Sequence, residues 1–130
     1  MNSKELFVRD TTVIKKSDNL FTAEVSDNWS IGNTANGGYS MTLAAKAMSE
    51  FLEHKDPLSI SAHYLDRVDF GATELHVTHL SSSKSLSTAR VELIQNNKIK
   101  IIFIGTFTDF SFKNDMNIYE RDVPSFPDYE

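Results

Sequence analysis

Two adjacent glycines, Gly37 and Gly38, follow Asn36 and open the long apolar segment of this 130-residue chain. The first backbone N–H groups of a helix have no partner inside it and lie at the positive end of the helix dipole. Such donors can stabilise negative charge developing on a carbonyl oxygen, and glycine lets a ligand approach the backbone closely. The same pair could instead form only a tight turn into a helix, so both roles remain open.

Two side chains near this point could hold a water molecule or accept a proton. Asn36 could orient a water molecule, although asparagine is also a favoured residue for capping a helix. His63 lies on a strand predicted after the helix and could act as a general base. A strand histidine opposite Ile60 and Tyr64 could equally be a hydrogen-bonded structural residue. We therefore name Asn36 and His63 as candidate catalytic residues.

One long helix, predicted from about Gly38 to His54, would position these candidates. Its apolar residues recur with the spacing of a helix that buries one face: Met41, Ala44, Ala45, Met48, Phe51 and Leu52. The alanines in this run would let a sheet approach the helix closely. Pro57 favours an end to the helix, because the residue before a proline avoids helical backbone angles.

Strands are predicted on both sides of the helix. They comprise a short pair within residues 11–25 and four strands at residues 58–65, 73–80, 86–94 and 99–107. The last is apolar on both faces, as a central strand or one covered by another subunit would be. The order predicts an α+β fold in which a curved antiparallel sheet wraps around one long central helix. Unpaired edge strands in such a sheet would favour a homodimer or tetramer.

Composition and charge argue against several classes of protein. The chain has no cysteine, which rules out disulfides, thiolate zinc sites and cysteine nucleophiles, and its four histidines lack the spacing of metal ligands. A net charge of −5 and a pI near 5.3 argue against a nucleic-acid partner. No apolar window approaches the roughly 18 residues of a membrane span, and no signal peptide is evident. We therefore expect a cytoplasmic protein without a membrane span or a metal site.

Residues 113–130 differ in character from the rest of the chain. They contain Pro124 and Pro127, with five acidic residues against two basic ones and no sustained periodicity. Such a segment is predicted to be an acidic tail or an interdomain linker. Residues 1–112 are accordingly predicted to form a single domain.

Four segments of this domain follow one another in a recognisable order: "NGGYSMTLAAKAM", "PLSISAHYLDRV", "KSLSTARVELIQNNK" and "IIFIGTFTDF". With similar gaps, they resemble the first hotdog domain of the acyl-CoA thioesterase II family over residues 7–112. The resemblance implies a hotdog fold, an acyl-CoA-type substrate and no cofactor. It rests on the collinearity of the segments, since no single motif among them is specific.

The resemblance also implies candidate substrate-binding residues. The family's glycine pair, its His-x-Tyr/Phe-Leu-Arg-Pro segment and its Ser-x-x-x-Arg motif with a following Gln-(Asn)-Gly-type turn map onto residues 37–38, 63–68 and 85–97. The substrate-binding candidates are Gly37, Gly38, Tyr39, Tyr64, Arg67 and Arg90. Tyr39 would point into an acyl groove or lie at a dimer seam. Arg67 and Arg90, with Lys84, would contact the phosphates of CoA or form surface ion pairs.

Departures from the family bear on function. Val68 replaces the usual proline, and Asp66 lies where an apolar residue followed by arginine is expected. Family members usually carry two fused hotdog domains, with their catalytic Asp, Thr or Ser, and Gln in the second. The predicted helix also lacks an acidic residue in its first turn, where several other hotdog thioesterases have one.

Two hypotheses of function follow from the resemblance. The chain is an acyl-CoA thioesterase-like hotdog protein that hydrolyses or binds fatty acyl-CoA thioesters, as a homodimer or joined to a second hotdog domain. The alternative is a non-catalytic hotdog module for acyl-CoA binding or dimerisation whose catalytic half lies elsewhere. A hydratase is less well supported, since the loop into the helix lacks the expected Asp and His segment.

Overall fold

A six-stranded antiparallel sheet packs around a central helix in the computed structural model, which describes residues 1–112 and 120–128. In chain order the elements are α1 (Ser3–Asp10), β1 (Ile14–Ser17), β2 (Leu20–Val25), a 3-10 turn (Asp27–Trp29), β3 (Ser30–Ile31), β4 (Thr34–Ala35), α2 (Gly37–Phe51), β5 (Asp56–Tyr64), β6 (Gly71–Ser82), β7 (Ser87–Gln95) and β8 (Lys98–Thr108). The large sheet has the strand order β1-β2-β6-β7-β8-β5, and β3 pairs only with β4. The predicted α+β architecture is confirmed: in the six-stranded sheet, the pair β1–β2 precedes the long helix and four strands follow it. The short β3–β4 pair before the helix is not predicted.

The core lies between α2 and the face of the sheet that contacts it, which we call the inner face. Its largest fully buried side chains come from both layers: Phe21, Leu43, Met48, Leu75, Leu93, Phe103 and Phe107. Gly105 on β8 permits close contact, since a Cβ atom there would lie 2.7 Å from Met48 Sδ. The predicted close approach of helix and sheet is therefore achieved from the sheet side as well.

The helix α2 ends at Phe51, three residues before the predicted end at His54. Leu52 leaves the helix with a ψ angle of 153°. His54 then turns into the core, where its Nδ1 lies 2.9 Å from Ser87 Oγ and its Nε2 lies 3.0 Å from the Lys84 carbonyl oxygen. The helix therefore ends before the position at which Pro57 would stop it. The hydrogen bonds of His54 are tertiary contacts, which the helical period of the sequence does not reveal.

The amino-terminal helix α1 is an element that the patterns above do not predict. Its first turn holds a capping box: the Asn2 side chain accepts a hydrogen bond from Glu5 N (3.0 Å), and the Glu5 carboxylate accepts one from Asn2 N (2.9 Å). The spacing of these two residues is a known signal for the start of a helix. It is the feature of the sequence that would have indicated α1.

Asp10 fixes α1 against the turn that leads towards α2. Its buried carboxylate accepts hydrogen bonds from Arg9 Nε (2.8 Å), Asn28 Nδ2 (2.8 Å) and Trp29 Nε1 (3.1 Å). The ring of Phe7 packs edge-on against Trp29 at 4.9 Å. The hydrogen bond from Asn28, supported by those from Arg9 and Trp29, holds the pKa of Asp10 below its ordinary value against the opposing effect of burial.

The strand β8 lies between β7 and β5, so it is an interior strand of the sheet. This confirms one of the two explanations offered for its apolar residues on both faces. On its outer face, which points away from α2, Ile104 is 42% exposed.

Beyond the sheet, residues 120–128 contain neither helix nor strand and are exposed. The remaining parts of the predicted tail, 113–119 and 129–130, lie outside the described residues. Within the described ranges, no helix is long and apolar enough to cross a membrane.

Candidate functional site

A cavity of about 400 Å³ lies beside the first turn of α2. Its walls are formed by β4, by Gly37 and Ser40 of α2, by Ile101 of β8, and by residues 64–68 at the end of β5. Because β5 follows α2 after a short connection and runs back along it, the end of this strand reaches the start of the helix. The glycine-led helix start and the predicted His63–Val68 segment are thus neighbours.

Gly37 and Tyr64 are in direct contact at this cavity. The Tyr64 hydroxyl donates a hydrogen bond to the Gly37 carbonyl oxygen (3.0 Å). A Cβ atom on residue 37 would lie 3.1 Å from the Tyr64 ring, a distance tighter than most such contacts. Tyr64 remains 53% exposed, with its ring edge-on to Phe103. Glycine at position 37 therefore provides the space that Tyr64 occupies, and Tyr64 keeps a surface open to a ligand.

Asn36 caps the helix. Its side-chain oxygen accepts a hydrogen bond from Gly38 N (2.8 Å), and its backbone N–H donates to the Trp29 carbonyl oxygen (2.8 Å). The amide of Gly38 is thereby occupied within the chain. Gly37 N–H has no such partner among the described residues, and Gly37 lines the cavity. The donor that could meet a carbonyl oxygen is therefore the Gly37 amide rather than that of Gly38.

Tyr39 does not line the cavity, although it is a predicted substrate-binding residue. It is 3% exposed, and its hydroxyl group donates a hydrogen bond to the Asp10 carbonyl oxygen (2.8 Å). The Tyr39 hydroxyl oxygen also accepts a hydrogen bond from Ser26 N (3.0 Å). Burial raises the pKa of Tyr39 above its ordinary value. The helical period turns this side chain into the core, where it joins α2 to the end of α1.

His63 lies apart from the cavity and from Asn36. Successive residues of a strand point to opposite faces of the sheet. Tyr64 points towards α2, so its neighbour His63 points outward, where it pairs across the strands with Ile102. The two residues predicted as catalytic are therefore not brought together within one chain.

The two predicted arginines also separate. Arg67 is exposed and lines the cavity, whereas Arg90 lies on the outer face opposite Ile104, with its guanidinium 3.4 Å from the Glu92 carboxylate. Arg90 Nε is buried and has no hydrogen-bond partner among the described residues. Only Arg67 is thus placed where it could contact a ligand in the cavity.

Asp66, which departs from the family pattern, is the one acidic side chain among the described residues that line the cavity. Its carboxylate accepts hydrogen bonds from Lys98 Nζ (2.6 Å) and Arg67 N (2.8 Å), and Lys100 Nζ lies 3.4 Å away. The hydrogen bond from Lys98, with the nearby charge of Lys100, holds the pKa of Asp66 well below its ordinary range. No sequence pattern predicts that Lys98 and Lys100 lie beside Asp66, because Asp66 and Lys98 are 32 positions apart in the chain.

A larger, open depression of about 1100 Å³ lies at the junction of α1, β2 and the start of β6, and none of the predicted site residues lines it. The described residues also contain no group of three or more His, Asp or Glu side chains arranged to hold a metal ion. The cavity at the start of α2 is therefore the candidate site, since it combines a helix-start amide, an exposed tyrosine and a nearby arginine.

Comparison with known proteins extends this description. The family model described as acyl-CoA thioesterase N-terminal domain matches residues 25–109. A search of curated proteins found no match.

Solved structures share the fold. The tesB protein of Mycobacterium avium subsp. paratuberculosis is 19% identical with a TM-score of 0.80, and the match covers 96% of this chain and 48% of that one. A protein with a hot dog fold from Alicyclobacillus acidocaldarius is 13% identical with a TM-score of 0.80, with coverages of 94% and 46%. Zebrafish thioesterase superfamily member 2 is 18% identical with a TM-score of 0.65, with coverages of 74% and 78%. The fold is therefore the hotdog fold, and the chain spans about half the length of the first two proteins.

Proposed function

Because the chain belongs to the acyl-CoA thioesterase N-terminal domain family, we propose that it binds acyl-CoA thioesters in the cavity at the start of α2. The observation that carries this proposal is the pairing of Gly37, whose amide has no partner among the described residues, with the exposed Tyr64 at one cavity. A thioester needs a donor for its carbonyl oxygen and an apolar surface for its acyl chain. The Gly37 amide supplies the first, and the ring of Tyr64 contributes to the second.

The charges around the cavity are suited to the CoA part of such a substrate. Arg67 at the cavity and Lys98 beside it are exposed cations, and phosphate groups are recognised by such side chains. In the proposal, the phosphates lie over Arg67 and Lys98 while the acyl group points towards α2. Arg90 lies on the outer face, so it could contribute to phosphate binding only at the site of a second chain.

Hydrolysis requires a water oxygen to attack the thioester carbon. Negative charge then develops on the carbonyl oxygen, the C–S bond breaks, and the sulfur leaves as a thiol with a proton from the water. A helix-start amide can stabilise the oxygen. The water needs a proton acceptor, and the ion pair with Lys98 makes the Asp66 carboxylate a weak base.

A specific observation favours the second candidate, a non-catalytic acyl-CoA-binding module. The first turn of α2 contains no acidic residue, and Asn36, which could orient water, uses its side-chain oxygen to cap the helix. The chain also spans about half the length of two of the solved relatives. In this second reading the catalytic groups are supplied by another hotdog domain.

Association with a second hotdog domain, in a homodimer, a tetramer or a fused protein, is part of the proposal. The edge strand β5 has no charged residue from Pro57 to Tyr64, whereas the opposite edge, β1, is four residues long and carries Lys15 and Lys16. Lysines and short length protect an edge from pairing, and a long uncharged edge invites it. We therefore assign the partner to the β5 edge. A cytoplasmic location also stays a proposal, to be tested by cell fractionation.

The test uses the full chain with short, medium and long acyl-CoAs. Thiol release measures hydrolysis, and calorimetry with each acyl-CoA measures binding. Tyr64→Ala, which removes the ring, is the test variant, and Glu50→Ala, at an exposed position later in α2, is the matched control. Binding or turnover weakened by Tyr64→Ala and retained by Glu50→Ala supports the site. Binding without turnover supports the module, and the absence of both with every acyl-CoA overturns the proposal.

A further inference from the structure

Gln95 is a buried polar residue at the end of β7, immediately before the turn into β8. It is 5% exposed, and its side-chain amide has partners at both ends. Its oxygen accepts a hydrogen bond from Asp69 N (2.9 Å), and its nitrogen donates to the Asp69 carbonyl oxygen (2.8 Å) and to Thr73 Oγ1 (2.8 Å). The side chain therefore binds the backbone of Asp69 on both sides, as a neighbouring strand would.

The hairpin turn presents Gln95 in a fixed position. Asn96 and Asn97 adopt positive φ angles of 51° and 59°, which are typical of a tight two-residue turn between antiparallel strands. Gln95 pairs with Lys98 across this turn. The amide thus projects from a rigid hairpin towards Asp69.

Asp69 directly follows the segment that forms one wall of the candidate site. The preceding residue, Val68, is buried, and its carbonyl oxygen accepts hydrogen bonds from Ala35 N (3.1 Å) and Thr34 Oγ1 (3.0 Å). Ala35 in turn precedes Asn36, which caps α2. A continuous series of hydrogen bonds and peptide bonds therefore links Gln95 to both walls of the cavity and to the helix start.

We propose that Gln95 is a positioning residue for the acyl-CoA site, and this inference rests on the proposed function. It does not line the cavity. It holds Asp69 in place, the peptide bond to Asp69 holds Val68, and the Val68 carbonyl oxygen holds Thr34 and Ala35, so that Gly37 and Tyr64 keep their positions at the cavity. Loss of the amide would loosen the cavity without removing any group that contacts the ligand.

Other contacts also hold this segment: the amides of Leu65 and Asp66 donate to the Lys100 carbonyl oxygen (3.0 Å each), and Lys100 Nζ lies 3.4 Å from Asp66 and 3.8 Å from Asp69. The Asp66–Lys98 ion pair is a weaker restraint than the hydrogen bonds of Gln95. Lys98 is 65% exposed, and exposed ion pairs are weakened by solvent and salt. The hydrogen bonds of Gln95 lie in a buried environment, where leaving a polar group without its partner is costly. Gln95 is therefore a stronger restraint on the wall than the Asp66–Lys98 ion pair.

The first test is amide hydrogen exchange of the full chain without ligand, so that it does not depend on the proposed function. Gln95→Met keeps the approximate shape and removes all three hydrogen bonds, and Thr73→Val removes only one of them, should the first variant fold poorly. We expect the amides of Ala35 and Asp69 to exchange about tenfold faster in Gln95→Met. His54→Gln is the matched control, because His54 is also buried and hydrogen-bonded. It follows the carboxyl-terminal end of α2, which lies about 20 Å along the helix axis from Gly37.

The second test measures calorimetric binding and thiol release with the acyl-CoA panel. Gln95→Met is expected to weaken acyl-CoA binding about tenfold or raise KM by that factor, with less change in kcat, while His54→Gln leaves both nearly unchanged. If the amides of Ala35 and Asp69 exchange at the same rate in Gln95→Met as in His54→Gln, the positioning role is overturned, whatever the ligand. Altered exchange with no acyl-CoA binding by the native chain would leave the restraint on the wall standing and reject only the proposed ligand.

Discussion

The contact between Gly37 and Tyr64 depends on the absence of a Cβ atom at residue 37 and on the Tyr64 hydroxyl group. A Cβ atom on residue 37 would lie 3.1 Å from the Tyr64 ring, so the ring would have to shift by a few tenths of an ångström. The Tyr64 hydroxyl also donates a hydrogen bond to the Gly37 carbonyl oxygen. At the next position, the Gly38 amide is satisfied by the cap of Asn36. Two neighbouring glycines thus have different roles, one facing the cavity and the other completing the helix start.

Gly37→Ala is expected to displace Tyr64 and to weaken acyl-CoA binding about tenfold, since a clash at 3.1 Å must be relieved and the ring is exposed enough to move. Stability should change little, because alanine is the better helix former. Calorimetry and thermal unfolding of the variant measure the two effects. Unchanged binding with Tyr64 displaced would show that the tyrosine has no part in the site.

Asn36→Ala is expected to destabilise the protein by about 0.5–2 kcal/mol, the usual cost of losing a helix cap. Asn36→Asp keeps a capping oxygen and should retain stability, which urea unfolding of both variants would measure. Asn33→Ala, in the exposed loop before the cap, is the control. If Asn36→Asp abolishes thiol release while stability is kept, Asn36 has a catalytic role in addition to capping.

At the scale of elements, α1 and the 26–29 turn form a support for the buried face of α2. Asp10 joins them through its carboxylate, and its carbonyl oxygen receives the hydroxyl of Tyr39 from α2. The predicted acyl-groove residue Tyr39 is therefore part of this support. The same helical turn sends Gly37 to the cavity and Tyr39 to the core.

Asp10→Asn is expected to lower the free energy of unfolding by about 1–2 kcal/mol at neutral pH, since Asp10 is buried and hydrogen-bonded. The native pKa of Asp10 is lowered, so its ionised form stabilises the fold above the unfolded value of about 3.9, and this contribution is lost as the pH falls through the native pKa. Urea unfolding of the native chain and the variant at decreasing pH should show the difference shrinking. Asp18→Asn, on the exposed β1–β2 turn, is the control, and an equal loss there would contradict the assignment.

At the scale of the whole molecule, the sheet has two edges of different character. The β1 edge is short and carries lysines, while β5 offers nine residues with their outward backbone groups free of a partner strand among the described residues. Because β5 also forms part of the cavity wall through Tyr64, a partner on this edge would lie beside the site.

Leu58→Lys, at an exposed apolar position on the β5 edge, is expected to raise the Kd of self-association at least tenfold without disturbing the core. Sedimentation equilibrium of the native chain and the variant measures this change. Leu80→Lys, which also replaces an exposed leucine but lies on β6, should leave self-association unchanged. A native chain that stays monomeric at all concentrations would reject self-association through the β5 edge.

The sequence by itself determined the elements whose signals are local. The alanine-rich helical period predicted α2, and the segments at residues 58–65, 73–80, 86–94 and 99–107 predicted β5 to β8, because helical and strand periods act over neighbouring residues. Only the tertiary structure decided which of the candidate residues meet. Strand alternation separates His63 from Tyr64, the core takes Tyr39, and the ion pair of Asp66 with Lys98 joins positions far apart in the chain. Such contacts depend on how the sheet folds back on the helix, and no local pattern records them.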